Sequence, residues 1–198
     1  MFSKNKGFTL IELLIVIAIL AVLASVTVIA INPADIFRRT RDSQRISDLD
    51  SIRTAINFYI VNTSSPVLGT STLSYSYMAS TDCNGLTSAT GTQAVDGNGW
   101  IPVNLTSLGG TAPLAKWPID PNPSAAASSN PSRYYAYLAN ATNTTFEVIA
   151  NMESSQYSQG GSNDVESKDG GKISTLYEVG TQFILTATSA NCFVGTGI

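Results

Sequence analysis

The residues that could carry out chemistry in this chain are few, and their types exclude most catalytic sites. The 198-residue sequence contains no histidine, which is the commonest general base near neutral pH and a usual zinc ligand. It also has no recognisable nucleophile–base pair, phosphate-binding glycine loop or metal-ligand set. A net charge of −3 gives no basic field that would attract nucleic acid. We therefore expect a protein that is not an enzyme and has no nucleic-acid partner.

An acidic cluster near the C-terminus is the candidate for a metal site. Asp164, Glu166 and Asp169 offer the oxygen ligands that calcium prefers. Their order does not follow the Asp-x-Asx-x-Asx-Gly pattern of a calcium loop, and Lys168 places a cation inside the cluster. The alternative is a solvated turn. The sequence leaves calcium open as a cofactor and predicts no other.

The two cysteines, Cys83 and Cys192, lie far apart and lack the spacing of a metal site. We predict a disulfide between them in a domain that is exported, with two buried thiols as the alternative. The bond would close a loop of about 110 residues and, through lost chain entropy in the unfolded state, would contribute about 4–5 kcal/mol.

The element that precedes all these residues is an apolar N-terminal segment. No charged residue occurs from Leu13 to Ile31, and a helix of this length, at about 1.5 Å per residue, spans roughly 28 Å, the thickness of a bilayer core. A secretory signal is the alternative because Lys4 and Lys6 come first, but its apolar part is normally only about 7–15 residues long. The sequence therefore predicts one transmembrane helix, whose orientation the flanking charges do not decide.

One ionisable side chain, Glu12, lies at the start of this apolar segment. A carboxylate at mid-bilayer depth costs about 2.5–3.5 kcal/mol, so we expect Glu12 to have a partner. The alternative is a glutamate that reaches the membrane interface from a simple anchor helix. Gly7 comes just before the segment and disfavours a helix that continues into residues 1–6.

The stretch Lys6-Gly7-Phe8-Thr9-Leu10-Ile11-Glu12-Leu13-Leu14 resembles, without a gap, the cleavage and methylation site of type IV prepilins and type II secretion pseudopilins. The resemblance implies that a prepilin peptidase removes residues 1–7 by cutting after Gly7, and that the new N-terminal Phe8 is N-methylated. It also implies an assembly role for Glu12, paired with the freed Phe8 amine of another copy. The implied partners are further copies in a homopolymer, the peptidase, the pilus or secretion assembly machinery and the inner membrane before assembly.

Residues 8–31 are thus the expected transmembrane and polymerisation helix, and residues 32–63 an amphipathic continuation of it. Pro33 cannot donate a helical hydrogen bond and disfavours helical geometry at Asn32, so we expect a helix break there. The helix should end before Ser64-Ser65-Pro66. Its arginines are expected on solvated faces, paired with neighbouring acids, with lipid headgroups or DNA as the alternative partners. Its apolar stripe consists of Ile46, Leu49, Ile52, Ile56, Tyr59 and Ile60.

Residues 64–198 are predicted to form a globular β domain, with loops at Gly85–Gly99 and Ser124–Ser132. The strand candidates, rich in aromatic and β-branched residues, are Tyr134–Leu138, Thr145–Met152, Leu176–Val179 and Gln182–Thr188, with a hairpin between the first two. Four segments resemble pilins related to the major pseudopilin of type II secretion: Gly99–Asn104, Trp117–Pro121, Phe146–Glu153 and Asp169–Gly171. The expected fold is α+β, a pilin-like lollipop whose long N-terminal helix packs on an antiparallel sheet.

The expected function is that of a structural subunit in a type IV pilus-like filament that serves adhesion, motility or DNA uptake. The precursor would cross the bacterial cytoplasmic membrane once, and the mature chain would lie in an extracellular pilus. A first alternative is a pseudopilin in a periplasmic pseudopilus. A second alternative, of another class, is a monomeric membrane-anchored surface-binding module.

Overall fold

A computed structural model describes residues 7–70, 74–77, 87–89, 91–110, 112–123, 135–140 and 144–183. The chain divides into two compact units, Met1–Phe37 and Arg38–Ile198. Within the described residues, the structure has two long helices, one short 3-10 helix and five strands. It belongs to the α+β class, which confirms the fold class predicted from the sequence.

The first long helix, α1, spans Leu10–Ile31. The side chains of its apolar window Leu10–Thr27 are not buried by any described residue, and this window is long and apolar enough to cross a membrane. A helix suits that environment because it satisfies every backbone hydrogen bond within one segment. The apolar side chains of α1 are therefore exposed and need a lipid or protein environment.

The helical path is interrupted at Asn32, and the second long helix, α2, spans Pro33–Asn62. Asn32 has φ 46° and ψ 77°, a left-handed conformation that asparagine tolerates better than most residues. Its carbonyl accepts a hydrogen bond from the Asp35 amide at 3.0 Å, which begins the new helix. The end of α2 at Asn62 confirms that the helix stops before Ser64.

The sheet of the second unit has five strands: β1 (Ser74–Ser76), β2 (Thr87–Ala89), β3 (Ala136–Asn140), β4 (Thr145–Ala150) and β5 (Tyr177–Gly180). Their spatial order is β2-β1-β3-β4-β5. The pairs β1–β3, β3–β4 and β4–β5 are antiparallel, whereas the edge strand β2 pairs parallel to β1. The 3-10 helix lies at Leu105–Leu108.

Three strand predictions are confirmed, since β3 and β4 form the expected hairpin and β5 follows at the expected place. The prediction that Gly85–Gly99 is all loop was wrong, because β2 lies inside it. Its sequence, Thr-Ser-Ala, has little strand character, so pairing with β1 decides its conformation. Of the candidate Gln182–Thr188, the described residues 182–183 are not in a strand and the others lie outside the described residues.

The core of the second unit is built from α2, the central strands and the loop that follows β2. Tyr137 on β3 stacks on Phe146 of β4 with ring centroids 6.2 Å apart, and Tyr137 also lies beside Tyr75 of β1. The largest apolar side chains that are fully buried include Trp100, Trp117, Tyr135, Tyr137, Phe146, Leu49, Ile52 and Ile56. These side chains form one hydrophobic cluster that holds the helix on the sheet.

A buried network of charges lies beside this core and is centred on Arg45. The Arg45 guanidinium is fully buried and bonds Asp42 at 2.8 Å, both oxygens of Asp120 at 2.8 Å and one oxygen of Glu153. The sequence analysis placed Arg45 on a solvated face, and this expectation was wrong. The buried positions 42, 45, 49 and 52 follow one helical stripe, so the apolar face of α2 continues into the network.

The network fastens α2 to two loops. Asp42 accepts hydrogen bonds from the backbone amides of Glu153 and Ser154 at 2.9 and 2.8 Å. Burial would raise the pKa of Glu153, but hydrogen bonds from Arg41 and Arg45 outweigh burial and lower this pKa to about 2. Glu153 therefore contributes stability that is present above its ordinary pKa and is lost as the pH falls toward 2.

We predict that Arg45→Met strongly destabilises the second unit. It would leave Asp42, Asp120 and Glu153 buried without their shared cation, and breaking a buried ion pair in this way costs about 3–5 kcal/mol. The measurement is denaturant unfolding of the full chain in detergent micelles, followed by fluorescence of the buried tryptophans.

The matched control is Arg53→Met. Arg53 lies on the same helix and pairs with Asp50, but both side chains are about half exposed, and such surface pairs contribute about 0–1 kcal/mol. Equal losses of stability in the two variants would contradict the role assigned to Arg45.

Candidate processing and assembly site

The N-terminus of α1 is closed by a reciprocal pair of hydrogen bonds between Thr9 and Glu12. Residues 7–9 are not helical, and Thr9 is the N-cap with φ −80° and ψ 152°. Thr9 Oγ1 accepts from the Glu12 amide at 3.3 Å. In return, Glu12 Oε2 accepts from the Thr9 amide and the Thr9 hydroxyl, each at 2.8 Å. This capping box satisfies amides that would otherwise have no partner in the helix.

This contact was not predicted, although the sequence carries a signal for it. Thr9-Leu10-Ile11-Glu12 has the threonine-x-x-glutamate spacing of a capping box, directly before an apolar run. The partner expected for Glu12 was the Phe8 amine of another copy, with the membrane interface as the alternative. The structure shows that Glu12 also has an internal partner, three residues earlier in its own chain.

The capping box directs the Glu12 carboxylate toward the Phe8–Thr9 peptide, one peptide after the predicted cleavage point. Oε2 lies 2.8 Å from the Thr9 nitrogen, which belongs to the residue after Phe8. Among the described residues, Oε1 has no hydrogen-bond partner, so the carboxylate retains an acceptor at the positive end of the helix. Such a group can receive an ammonium ion, and the pairing of Glu12 with a Phe8 amine of another copy stays a prediction.

Gly7 and Phe8, the predicted cleavage and methylation positions, are both exposed. The Phe8 side chain is 86% exposed. A Cβ atom added at Gly7 would meet no described atom within 4 Å. A larger residue at Gly7 would therefore fit this chain, so an effect of such a substitution on cleavage would come from the peptidase and not from the fold.

The structure places the calcium candidates in hydrogen-bonded turns. Asp164 accepts from the Gly160 and Ser167 amides at 2.8 and 3.0 Å, and the Ser167 hydroxyl and these amides lower its pKa to about 2. Glu166 accepts from the Met152 and Gln159 amides at 3.0 and 2.9 Å.

Asp169, the third calcium candidate, accepts from the Gly171 and Glu178 amides at 2.7 and 2.6 Å. Burial raises the pKa of both Glu166, to about 7, and Asp169. Among the described residues, no group of three or more Asp, Glu, His or Cys side chains is placed to hold a metal ion. The structure uses these carboxylates to fold the 151–173 loop and does not bring them together as a ligand set.

The predicted disulfide residues, Cys83 and Cys192, lie outside the described residues. The predicted helix-break residue, Pro33, is the first residue of α2, directly after the left-handed Asn32. The structure thus brings together Thr9 and Glu12 at the start of α1, with Gly7 and Phe8 immediately before them.

Residues 2–28 match the family model described as the prokaryotic N-terminal methylation motif. The matched range contains Gly7, Phe8, the capping box and most of α1. No solved structure matches the chain.

We predict that Thr9→Val, which keeps the shape of the side chain but removes its hydroxyl, loosens the first turn of α1. Loss of an N-cap of about 1 kcal/mol speeds amide exchange by roughly fivefold. Hydrogen exchange of the Glu12 amide, measured by NMR on the full chain in micelles, reports this directly. Thr9→Ser keeps the hydroxyl and should exchange like the unsubstituted chain. Unchanged exchange in Thr9→Val would show that the capping box does not stabilise the helix start.

Proposed function

We propose that this chain, which carries the hallmark motif of type IV pilin and pseudopilin precursors, is a structural subunit of a type IV pilus-like surface filament. A prepilin peptidase would cut after Gly7, Phe8 would be N-methylated, and the mature chains would polymerise through α1. The observation that carries the proposal is the match of residues 2–28 to the methylation motif, on a helix that leaves its apolar side chains uncovered.

The exposed surface of α1 supports assembly through this helix. Apolar side chains point outward along its whole described length, from Leu10 at 89% exposure to Val26 at 60%. In the membrane these side chains contact lipid, but outside it the hydrophobic effect requires that other apolar surfaces cover them. Further copies of α1 are such surfaces. The small residues Ala18, Ala21 and Ser25, at helical spacings of three and four, would let neighbouring helices approach closely.

The chemistry at the start of α1 supports a specific register between copies. Cutting after Gly7 creates an ammonium group at Phe8, one residue before the capping threonine. A Glu12 carboxylate that faces the helix N-terminus is placed to receive the ammonium group of another copy, by a charge-assisted hydrogen bond. This pairing would align the apolar helices as each subunit is added.

Two alternatives differ from the proposal in separate ways. A pseudopilin of a type II secretion system would use the same processing and the same helix, but in a short periplasmic filament. A monomeric membrane-anchored surface-binding module would keep α1 in lipid and would not need Glu12. Cleavage after Gly7 therefore tests the interpretation of the motif. The filament yield of Glu12 variants distinguishes a polymer subunit from a monomeric module.

We predict that the mature chain begins at Phe8 and carries one added methyl group on its nitrogen. Intact-mass measurement and N-terminal sequencing of protein from cells that contain a prepilin peptidase will test this. Gly7→Leu should leave an uncut precursor, because the peptidase is expected to require glycine before the cut bond. Misfolding would not explain the loss, since this chain has room for the larger side chain. The matched control is Val61→Leu, which also places a leucine at an exposed position, distant from the cleavage point, and should be cut normally. A mature chain that starts beyond Ala24 would overturn the prediction.

We also predict that Glu12→Gln and Glu12→Ala insert into the membrane and are cut normally but give few filaments. A charge-assisted hydrogen bond lost at each addition lowers the assembly equilibrium by roughly tenfold to 100-fold. The measurement compares sheared filaments with membrane-bound, fully processed subunit in the same samples.

Asp50→Asn is the control for these variants, since it removes one exposed acid elsewhere on the chain. Normal filament yield from processed Glu12→Gln would reject the pairing with Phe8. Normal processing together with no filaments from the unsubstituted chain would favour the monomeric anchored module.

A further inference from the structure

Two large apolar side chains are exposed at the start of α2, soon after the apolar segment of α1 ends. Ile36 is 46% exposed and Phe37 is 64% exposed. Neither side chain belongs to the hydrophobic cluster that the described residues form. Single exposed apolar residues are common on proteins and need no explanation. Here two adjacent ones follow a segment that can cross a membrane, so the lipid surface is within their reach.

Two basic side chains come next on the same helix. Arg38 and Arg39 are both exposed. Since successive helical residues are about 100° apart, the four residues 36–39 point to all sides of α2. Polarity in this 36–39 segment therefore changes along the helix axis, from apolar to basic, and not around it. An amphipathic helix on a protein core has the opposite arrangement, with one apolar stripe along its length.

The change from apolar to basic occurs at the depth of the headgroup layer when α1 crosses a bilayer. The residues from Leu13 to Ile31 carry no charge, and as a helix they span roughly 28 Å, close to the hydrocarbon thickness of about 30 Å. Phe37 comes six residues after Ile31, which is roughly 9 Å of helix. The headgroup layer beyond each face of the hydrocarbon is about 5–8 Å thick. The 36–39 segment therefore follows the apolar run by about the thickness of this layer.

We propose that the 36–39 segment anchors the chain to anionic phospholipids at the membrane surface. Ile36 and Phe37 lie within the headgroup layer and contact its glycerol region, and Arg38 and Arg39 bind the lipid phosphates. Large apolar side chains bury well in this layer when basic side chains accompany them, and a guanidinium group matches a phosphate with two parallel hydrogen bonds. This anchor goes beyond the proposed function, since it acts on the single chain in the membrane and does not depend on a filament.

Charge favours anionic lipid over the other partners that such a segment could meet. The nearest acid before it, Asp35, is half-buried, and the two arginines outnumber it. The same segment of a second copy carries the same arginines, so a symmetric contact between copies would place like charges together. A DNA-binding surface normally neutralises several phosphates, whereas this chain has a net charge of −3. A membrane surface fits because it offers apolar and anionic groups in the same order as the helix.

The anchor also limits how far α1 can slide across the membrane. Glu12 precedes the charge-free run, and the two arginines follow it. Movement of α1 in either direction would draw one of these charged groups into the hydrocarbon, which is unfavourable. The lipid contacts of the 36–39 segment therefore hold the start of α1, with Phe8 and Glu12, at the opposite membrane surface.

Fluorescence quenching by brominated lipids tests the anchor on the full chain in vesicles. Phe37→Trp places a tryptophan in the segment, while Trp100 and Trp117 are fully buried and give a background that the unsubstituted chain measures. The vesicles contain phosphatidylcholine with a minor fraction of phosphatidylglycerol, and either lipid carries the bromine atoms at the same mole fraction. Both brominated lipids should quench the new tryptophan, and brominated phosphatidylglycerol should quench it more.

The arginines should account for the preference for phosphatidylglycerol. In the Phe37→Trp background, Arg38→Gln should lower the preference about fivefold, since one basic side chain at an anionic surface contributes roughly that factor. The matched control is Arg53→Gln, which removes a half-exposed arginine roughly 20 Å further along α2 and should keep the preference. Salt at about 1 M shortens the screening length to about 3 Å, so it should remove the preference but leave the quenching by both lipids.

The apolar contact is tested separately. Ile36→Ser should reduce the quenching by both lipids, whereas Val61→Ser, at an exposed apolar position near the end of α2, should not. Absence of quenching by either lipid would overturn the proposal, as would equal quenching by the two lipids at low salt. Quenching that disappears as the protein-to-lipid ratio rises would assign the segment to contacts between copies and would also reject the lipid anchor.

Discussion

The constraint on which the second unit depends is the burial of one guanidinium group. Arg45 has no contact with water, so its charge has to be balanced within the protein, and three carboxylates from three segments supply the balance. Because a guanidinium presents its donors in a fixed plane, the positions of Asp42, Asp120 and Glu153 are coupled. The loops that carry Asp120 and Glu153 cannot shift independently of α2.

The two groups of buried acids in this unit solve the same desolvation problem in opposite ways. Glu153 keeps its negative charge because two arginines surround it, and its pKa falls to about 2. Glu178 has no such cations around it in the described residues, and burial raises its pKa to about 8. Acidification toward pH 2 therefore weakens the contacts of Glu153 with the arginines of α2, whereas a rise toward pH 8 removes the proton that burial keeps on Glu178. Stability should be greatest between these two limits.

Much of this architecture could be predicted from the sequence, because the signals were local. The apolar run from Leu13 to Ile31, the break at Asn32–Pro33 and the hairpin after Ala136 depend on neighbouring residues. Arg45 could not be placed, because a charged residue within a helical stripe is normally solvated and its partners, Asp120 and Glu153, are distant in sequence. Strand β2 could not be found either, since its pairing with β1 and not its composition makes it a strand. The Thr9–Glu12 capping box could have been predicted from the three-residue spacing of threonine and glutamate. It was not, because Glu12 was already assigned to pairing between copies.

The interruption between α1 and α2 has a mechanical consequence. Asn32 is already left-handed, and Pro33 supplies no amide to bridge the junction. Under tension, a helix begins to unwind where the fewest hydrogen bonds oppose extension, and here that point is between the two helices. A residue that passes from helical to extended backbone lengthens the chain by about 2 Å. A pulling force along this chain would therefore first extend the backbone at Asn32. The capped start of α1 and the part of α2 that carries the Arg45 network would unwind later.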